Sequence, residues 1–263
     1  MKRNKIMVFA PHQDDEIIGA GCKIIRTLNE GGKVVVVFIT KGAFEDKIRR
    51  DKRSHREKEA FKVMRQAGVK NYYFLNKYIF EMQKRKTARE VYETILWILN
   101  VEKPAEVYFP AYEGGNFDHD ITNFLVVRAV PKSGRKIKMF EFPMYSSYIG
   151  IQNILKKTAR KISEKTKLKY DFKPEFINRK NKEFIVGTKQ EVEKKKKFLK
   201  MYKSQNPEDL VRRFGYTDKF REYKKQDYGK PPYTLSLNII MPKKYSLYDG
   251  KISFSKFKKA INF

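Results

Sequence analysis

The stretch Ile6-Met7-Val8-Phe9-Ala10-Pro11-His12-Gln13-Asp14-Asp15-Glu16-Ile17-Ile18-Gly19-Ala20-Gly21 decides the reading of this chain. A short apolar run, residues 5–10, reads as a buried strand, and residues 16–29 read as a helix. One histidine and three acids therefore fall where a strand gives way to a helix. In open α/β sheets that junction is where ligands bind, outside the carboxyl ends of the strands. Glu30-Gly31-Gly32 ends the helix with glycines suited to its C-terminus. Lys33 to Thr40 (KVVVVFIT) follows as a second strand, and its unbroken valine run fits a sheet covered on both faces.

The alternation continues. Lys41-Gly42-Ala43-Phe44 reads as a loop, 49–67 as a charged helix stopped by Gly68, and Asn71–Leu75 as strand three. Thr87–Val101 reads as a helix whose Trp97, the single tryptophan, is expected in the core. Ala105–Pro110 reads as strand four, 121–130 as a helix and Lys136–Phe142 as strand five. The fold class expected is α/β, a doubly wound, mostly parallel Rossmann-like sheet with right-handed crossovers. Beyond 150 the pattern loosens. Basic helices are expected at 154–169 and 189–203, and Tyr233–Met241 (YTLSLNIIM) resembles a late strand behind Pro231-Pro232. Residues 1–150 read as the catalytic core and 151–263 as a C-terminal α+β extension packed on it.

The chain has three histidines, His12, His55 and His119. Two of them lie just after expected strands one and four, each beside acids. Carboxyl ends of parallel strands converge on one edge of the sheet. His12 and Asp15 from one loop and His119 from another can therefore meet at a single divalent ion, zinc first and Fe2+ as an alternative. A site of two histidines and one carboxylate with an open position is a hydrolytic arrangement. Asp14, adjacent but pointing elsewhere, is free to take a proton from water. Taken singly, each residue has an ordinary explanation. A histidine near a strand end is usually a surface or hydrogen-bonded residue, and an acid cluster at a helix N-terminus is favoured by the dipole. The coincidence of the two loops carries the metal reading. His55 fits no such pattern and reads as a solvated helix residue.

Composition sets bounds. The lone Cys22 excludes an intramolecular disulfide and any cysteine-rich metal site, and reads as a small core residue. No secretory signal or apolar run of membrane-spanning length is visible. A cytoplasmic protein is expected, with a peripheral position at the inner membrane face allowed by the charge. The formal net charge is +29. Three readings compete: background composition, attraction to anionic lipids or phosphorylated substrates, and nucleic-acid binding. The densest basic stretches are Lys156–Lys173 and Lys194–Lys200. No specific nucleic acid is expected.

Ala10-Pro11-His12-Gln13-Asp14-Asp15-Glu16 closely resembles the opening motif of the PIG-L/LmbE-like zinc-dependent N-acetylglucosamine deacetylases. Asn116-Phe117-Asp118-His119 resembles their second motif, His-x-Asp-His. Arg56 and Glu59 match an Arg-x-x-Glu helix, Thr40-Lys41-Gly42 a Thr-x-Gly loop, and Lys197–Gln205 (KFLKMYKSQ) a late segment ending in Ser-Gln. The resemblance covers residues 5–205. It implies His12, Asp15 and His119 as zinc ligands, Asp14 as general base, Arg56 near the substrate and Asp118 orienting a neighbour. It implies removal of the N-acetyl group from an amino-sugar conjugate, small-molecule or lipid-linked, with acetate and a free amine as products. Asn116 stands where the family has histidine. An asparagine can donate to a tetrahedral oxyanion but cannot act as a cationic acid. Two alternatives stay open: a catalytically weakened sugar-binding protein, motivated by Asn116, and a polyanion-binding protein on the same scaffold, motivated by the charge.

Overall fold

A computed structural model describes residues 4–42, 50–78, 81–113, 116–144, 176, 182–229 and 254–263. Seven strands form one sheet among these residues: β1 (Lys5–Ala10), β2 (Lys33–Thr40), β3 (Asn71–Lys77), β4 (Glu106–Pro110), β5 (Lys138–Phe142), β6 (Glu183–Val186) and β7 (Asp218–Glu222). Their order is β3-β2-β1-β4-β5-β7-β6. The first five are parallel, and β7 and β6 close the far edge antiparallel. From β1 the chain winds outward to β2 and β3, then crosses back to place β4 on the other flank of β1. The gap between β1 and β4 is thus the point where strand order reverses, the standard ligand position in such sheets.

The helices are α1 (Asp15–Asn29), α2 (Arg50–Ala67), α3 (Arg85–Glu102), α4 (Phe117–Lys132), α5 (Lys189–Leu199), α6 (Pro207–Phe214) and α7 (Phe254–Ile261). Ile6, Val8, Val34, Val36 and Phe38 pack with α1, α2 and α5 on one face of the sheet. Met7, Phe9, Val35, Val37 and Ile39 pack with α3, α4 and α7 on the other. Successive strand residues point to opposite faces, so a strand covered on both sides must be apolar throughout. That is why β1 and β2 read as unbroken runs. Each such side chain contributes about 1.5–3 kcal/mol on burial.

One interaction ties the late elements to the first helix. Lys195 on α5 is buried; its Nζ donates to Asp218 Oδ1 on β7 (2.7 Å) and to the Ile18 carbonyl (2.8 Å). Asp218 Oδ2 accepts the Lys23 N–H at 2.8 Å. The ion pair thus takes a carbonyl and an amide from the hydrogen-bond ladder of α1. Helix α1 bends between them at Ala20 (φ −137°, ψ 20°), as helices do where a side chain enters the ladder. The flanking glycines admit the neighbours: a Cβ on Gly19 would strike the Phe142 ring, and one on Gly21 would sit 2.9 Å from Lys195 Cγ.

The structure alters several expectations. Helix α4 starts at Phe117, four residues before the expected 121, because Asn116 caps it by accepting the Asp118 N–H at 2.8 Å. His119 therefore stands on a helical first turn rather than on a loop. Trp97 is not core: it is 57% exposed and meets Tyr73 edge-to-face. Helix α3 is amphipathic, and position 97 lies off the stripe of Val91, Ile95, Ile98 and Leu99 that meets the sheet. Strands β6 and β7 and helices α6 and α7 were not anticipated. Cys22 is buried and His55 exposed, as expected. The helix at 154–169, the stretch Tyr233–Met241 and Lys156–Lys173 lie outside the described residues.

Candidate metal centre

Three side chains converge at the β1/β4 gap. His12 and Asp15 follow β1, and His119 comes from the first turn of α4 behind β4. His12 Nδ1 lies 3.1 Å from Asp15 Oδ2, His119 Nε2 lies 3.2 Å from that same oxygen, and the two nitrogens are 3.3 Å apart. With metal–ligand bonds of about 2.0–2.1 Å, two corners of a tetrahedron stand roughly 3.3 Å apart. The three atoms therefore already have the spacing of three corners around one small divalent ion. They form the one such group of potential ligands among the described residues, and all three residues are buried.

The surroundings fix the ligands. Asp118 Oδ2 lies 3.2 Å from His12 Nε2. A carboxylate only accepts, so Nε2 donates to it, and in the neutral ring Nδ1 is the atom with the lone pair. Asp15 Oδ2 also accepts the His12 backbone N–H at 2.8 Å, which closes the loop on itself. Burial works to lower His12, but Asp15 and Asp118 outweigh it and raise the imidazole to about 9. Burial works to raise Asp15, but His119 and His12 hold it below the ordinary carboxylate range. Burial keeps His119 below its ordinary value despite Asp15. A divalent cation would take the place of the proton on His12.

Asp14 stands beside the trio and does not face it. Its φ of 119° is a conformation that residues other than glycine rarely adopt. It occupies the N-cap of α1, yet its side chain makes no capping bond. Oδ1 instead accepts Arg56 Nη2 at 2.6 Å, and Oδ2 makes no hydrogen bond among the described residues. Arg56 is held in turn by the Gln13 carbonyl (Nε, 2.7 Å) and the Gly42 carbonyl (Nη1, 3.4 Å). Gly42 has φ +61°, and a Cβ there would run into the guanidinium. The Thr-x-Gly loop thus has two jobs: Thr40 Oγ1 bonds the Pro11 carbonyl and the Gly42 N–H, and Gly42 leaves room for Arg56. Burial raises Asp14 to about 6 against the pull of Arg56. A carboxylate with that affinity can accept and return a proton near neutrality.

The family model described as PIG-L: GlcNAc-PI de-N-acetylase matches residues 7–130, which hold both loops of this centre. That stretch is just under half of the chain. Solved structures share the fold across its length and beyond. The N,N'-diacetylchitobiose deacetylase of Pyrococcus horikoshii is 22% identical, with 84% of each chain covered and a TM-score of 0.55. A zinc-inhibited form of teicoplanin deacetylase is 14% identical, covering 85% of this chain and 99% of its own, at TM-score 0.60. A 4-carboxy-2-hydroxymuconate hydratase from Pseudomonas putida is also 14% identical, covering 85% and 98%, at TM-score 0.56. Likeness at these identities establishes the fold, which carries more than one chemistry. No curated protein matches the chain.

Outside residues 7–130, the late segment also reaches this centre. Tyr202 donates its hydroxyl to Glu16 Oε1, and Glu16 Oε2 accepts the Asp14 N–H at 3.0 Å. Burial raises Glu16 to about 8. Glu59, on α2 with Arg56, accepts the Ser204 N–H (3.0 Å) and hydroxyl (2.6 Å). The sequence showed the Ser-Gln segment and the Arg-x-x-Glu spacing but not that they meet. Arg and Glu three apart share one helix face, and that spacing was the available signal. Asn116 is buried, its Oδ1 spent on the helix cap, which leaves the amide NH2 for other work. Gln13 Oε1 and Asp118 Oδ1 are buried and make no hydrogen bond.

Proposed function

We propose that the protein is a metal-dependent hydrolase that removes the N-acetyl group from an N-acetylglucosamine-type conjugate. The observation that carries this reading is the trio His12, Asp15 and His119 at tetrahedral spacing with Asp14 beside it, one carboxylate oxygen held and the other open. His12, Asp15 and His119 would hold the ion, with zinc the first choice and Fe2+ the alternative. A divalent ion there supplies Lewis acidity, polarising the acyl carbonyl and acidifying water.

The chain's own groups do the rest. Asp14 Oδ2 takes the proton as the water oxygen bonds to the carbonyl carbon. The Asn116 amide donates to the oxygen that gains negative charge. Asp14 then returns the proton to nitrogen as the C–N bond breaks, so water is consumed and acetate and a free amine leave. Asp118 keeps the His12 ring in one tautomer and orientation. Arg56 holds the Asp14 carboxylate and would approach a substrate hydroxyl or phosphate.

The family description and the charge of +29 favour a phosphate-bearing or lipid-linked amino-sugar conjugate met in the cytoplasm or at its membrane face. No helix among the described residues is long and apolar enough to cross a membrane. A second reading, a sugar- and metal-binding protein without turnover, rests on Asn116 in place of the family histidine. Acetate release from a panel of N-acetylglucosamine conjugates, with His119→Ala alongside, separates the two. Release by the wild type alone supports the hydrolase. Conjugate binding with one ion per chain and no release supports the second reading.

A further inference from the structure

We propose that the turn Tyr202–Gln205 is a positioning device for Asp14, reaching it by two routes. The proposal rests on the reading of Asp14 as the base. Asp14 sits at φ 119° without the freedom of glycine, and its carboxylate does not cap the helix it begins. Such a conformation persists only when its surroundings over-determine it. Two groups do so here. Glu16 holds the backbone by accepting the Asp14 N–H at 3.0 Å, and Arg56 holds the carboxylate at 2.6 Å.

Both groups are anchored by the same turn. Tyr202 donates to Glu16 Oε1, the oxygen that Asp14 does not use. Neither Tyr202 nor Glu16 has exposed surface, so water does not replace that hydroxyl. On the outer side, Ser204 bonds Glu59 through both its N–H and its hydroxyl. Glu59 lies three residues after Arg56 on α2, so the turn fixes the helix from which Arg56 reaches inward. The turn follows α5, and α5 is pinned to α1 through Lys195.

Packing alone would explain a large side chain at 202, since Tyr202 lies with Phe198 and Leu199 in the core. It does not explain the hydroxyl. Tyr202→Phe keeps the ring and removes the bond, leaving Glu16 Oε1 buried without its donor. Tyr202 and Ser204 are thus positioning residues, acting through Glu16 and Arg56 and never touching substrate.

The test compares wild type, Tyr202→Phe and Ser204→Ala. The expected result is one metal ion per chain in all three, and faster hydrogen exchange at the Asp14 amide in Tyr202→Phe. It also includes a 10- to 100-fold lower kcat at unchanged KM, on the order of what displacing a catalytic group costs. Ser204→Ala, a surface change that leaves the core intact, should lower kcat several-fold by the Arg56 route alone. Unchanged Asp14 exchange in folded Tyr202→Phe, or unchanged kcat in both variants, overturns the proposal. Exchange is read without substrate. If wild type releases no acetate, the deacetylase reading fails while exchange still decides whether the turn holds Asp14.

Discussion

The protein buries two compact clusters of charge within a few turns of each other on α1, and they are built on opposite plans. In the Lys195–Asp218 cluster each charged group is matched: the ammonium has a carboxylate and a carbonyl, and the carboxylate has an ammonium and an amide. In the His12–Asp15–His119 cluster two imidazole nitrogens and one carboxylate oxygen face one another at 3.1–3.3 Å. Asp14 Oδ2 beside them, and the buried Asp118 Oδ1 and Gln13 Oε1, make no hydrogen bond among the described residues. Burial of charge therefore does not mark a reactive site by itself. The closed cluster fastens a helix; the open one has side-chain atoms that could hold a cation.

The comparison breaks most visibly at Asp14. Asp14→Ala should retain one metal ion and lose roughly 10²- to 10⁴-fold in kcat, the range of a general base. Turnover within a few-fold of wild type would remove Asp14 from that role. The closed cluster should respond in stability instead. Lys195→Ala leaves Asp218 buried and unpaired, and denaturant unfolding should show a loss of about 3–5 kcal/mol. A loss near zero would mean that water or a side-chain shift repairs the site.

Protonation sharpens the contrast further. Burial raises Asp14 to about 6 with Arg56 pulling the other way. A base works only when deprotonated, so kcat should fall as pH drops through about 6. Arg56→Gln removes the opposing charge and should move that acid limb upward. A limb that stays put or moves down would show that Arg56 does not set the affinity of Asp14. The smallest effect is expected at Asn116. Asn116→Asp keeps the cap but exchanges the amide for a carboxylate, and should lower kcat with little change in stability. Asn116→Ala should also cost about 1 kcal/mol of stability through the lost cap. Equal kcat in Asn116→Asp and wild type would limit Asn116 to capping.

Much of this was legible in the sequence, for identifiable reasons. Strands β1 and β2 are covered on both faces, so their apolar runs stand out, and His12 and Asp15 after β1, with His119 after β4, mark the candidate ligands by residue type. Strands β6 and β7 did not stand out. They are four- and five-residue strands (EFIV and DKFRE) at the sheet edge, and β7 buries Asp218 and Arg221 through pairing with Lys195 and Glu141. Periodicity sees a buried Asp or Arg as a loop residue, because the partner that makes burial tolerable is remote in sequence. Nothing in the basic Lys194–Lys200 stretch singles out Lys195 either, yet Lys195 is interior. Asn116 was noticed for what it replaces, while its capping bond, visible as Asn two residues before Asp118, was missed. The link from Tyr202 to Glu16 spans 186 positions and leaves no local signature.

The most direct test of the account is anomalous scattering from crystals of protein loaded with one equivalent of zinc. The account predicts a single ion enclosed by His12 Nδ1, Asp15 Oδ2 and His119 Nε2, absent from His119→Ala crystals of the same fold. Zinc bound elsewhere with this trio empty, or the same peak persisting in His119→Ala, would contradict it.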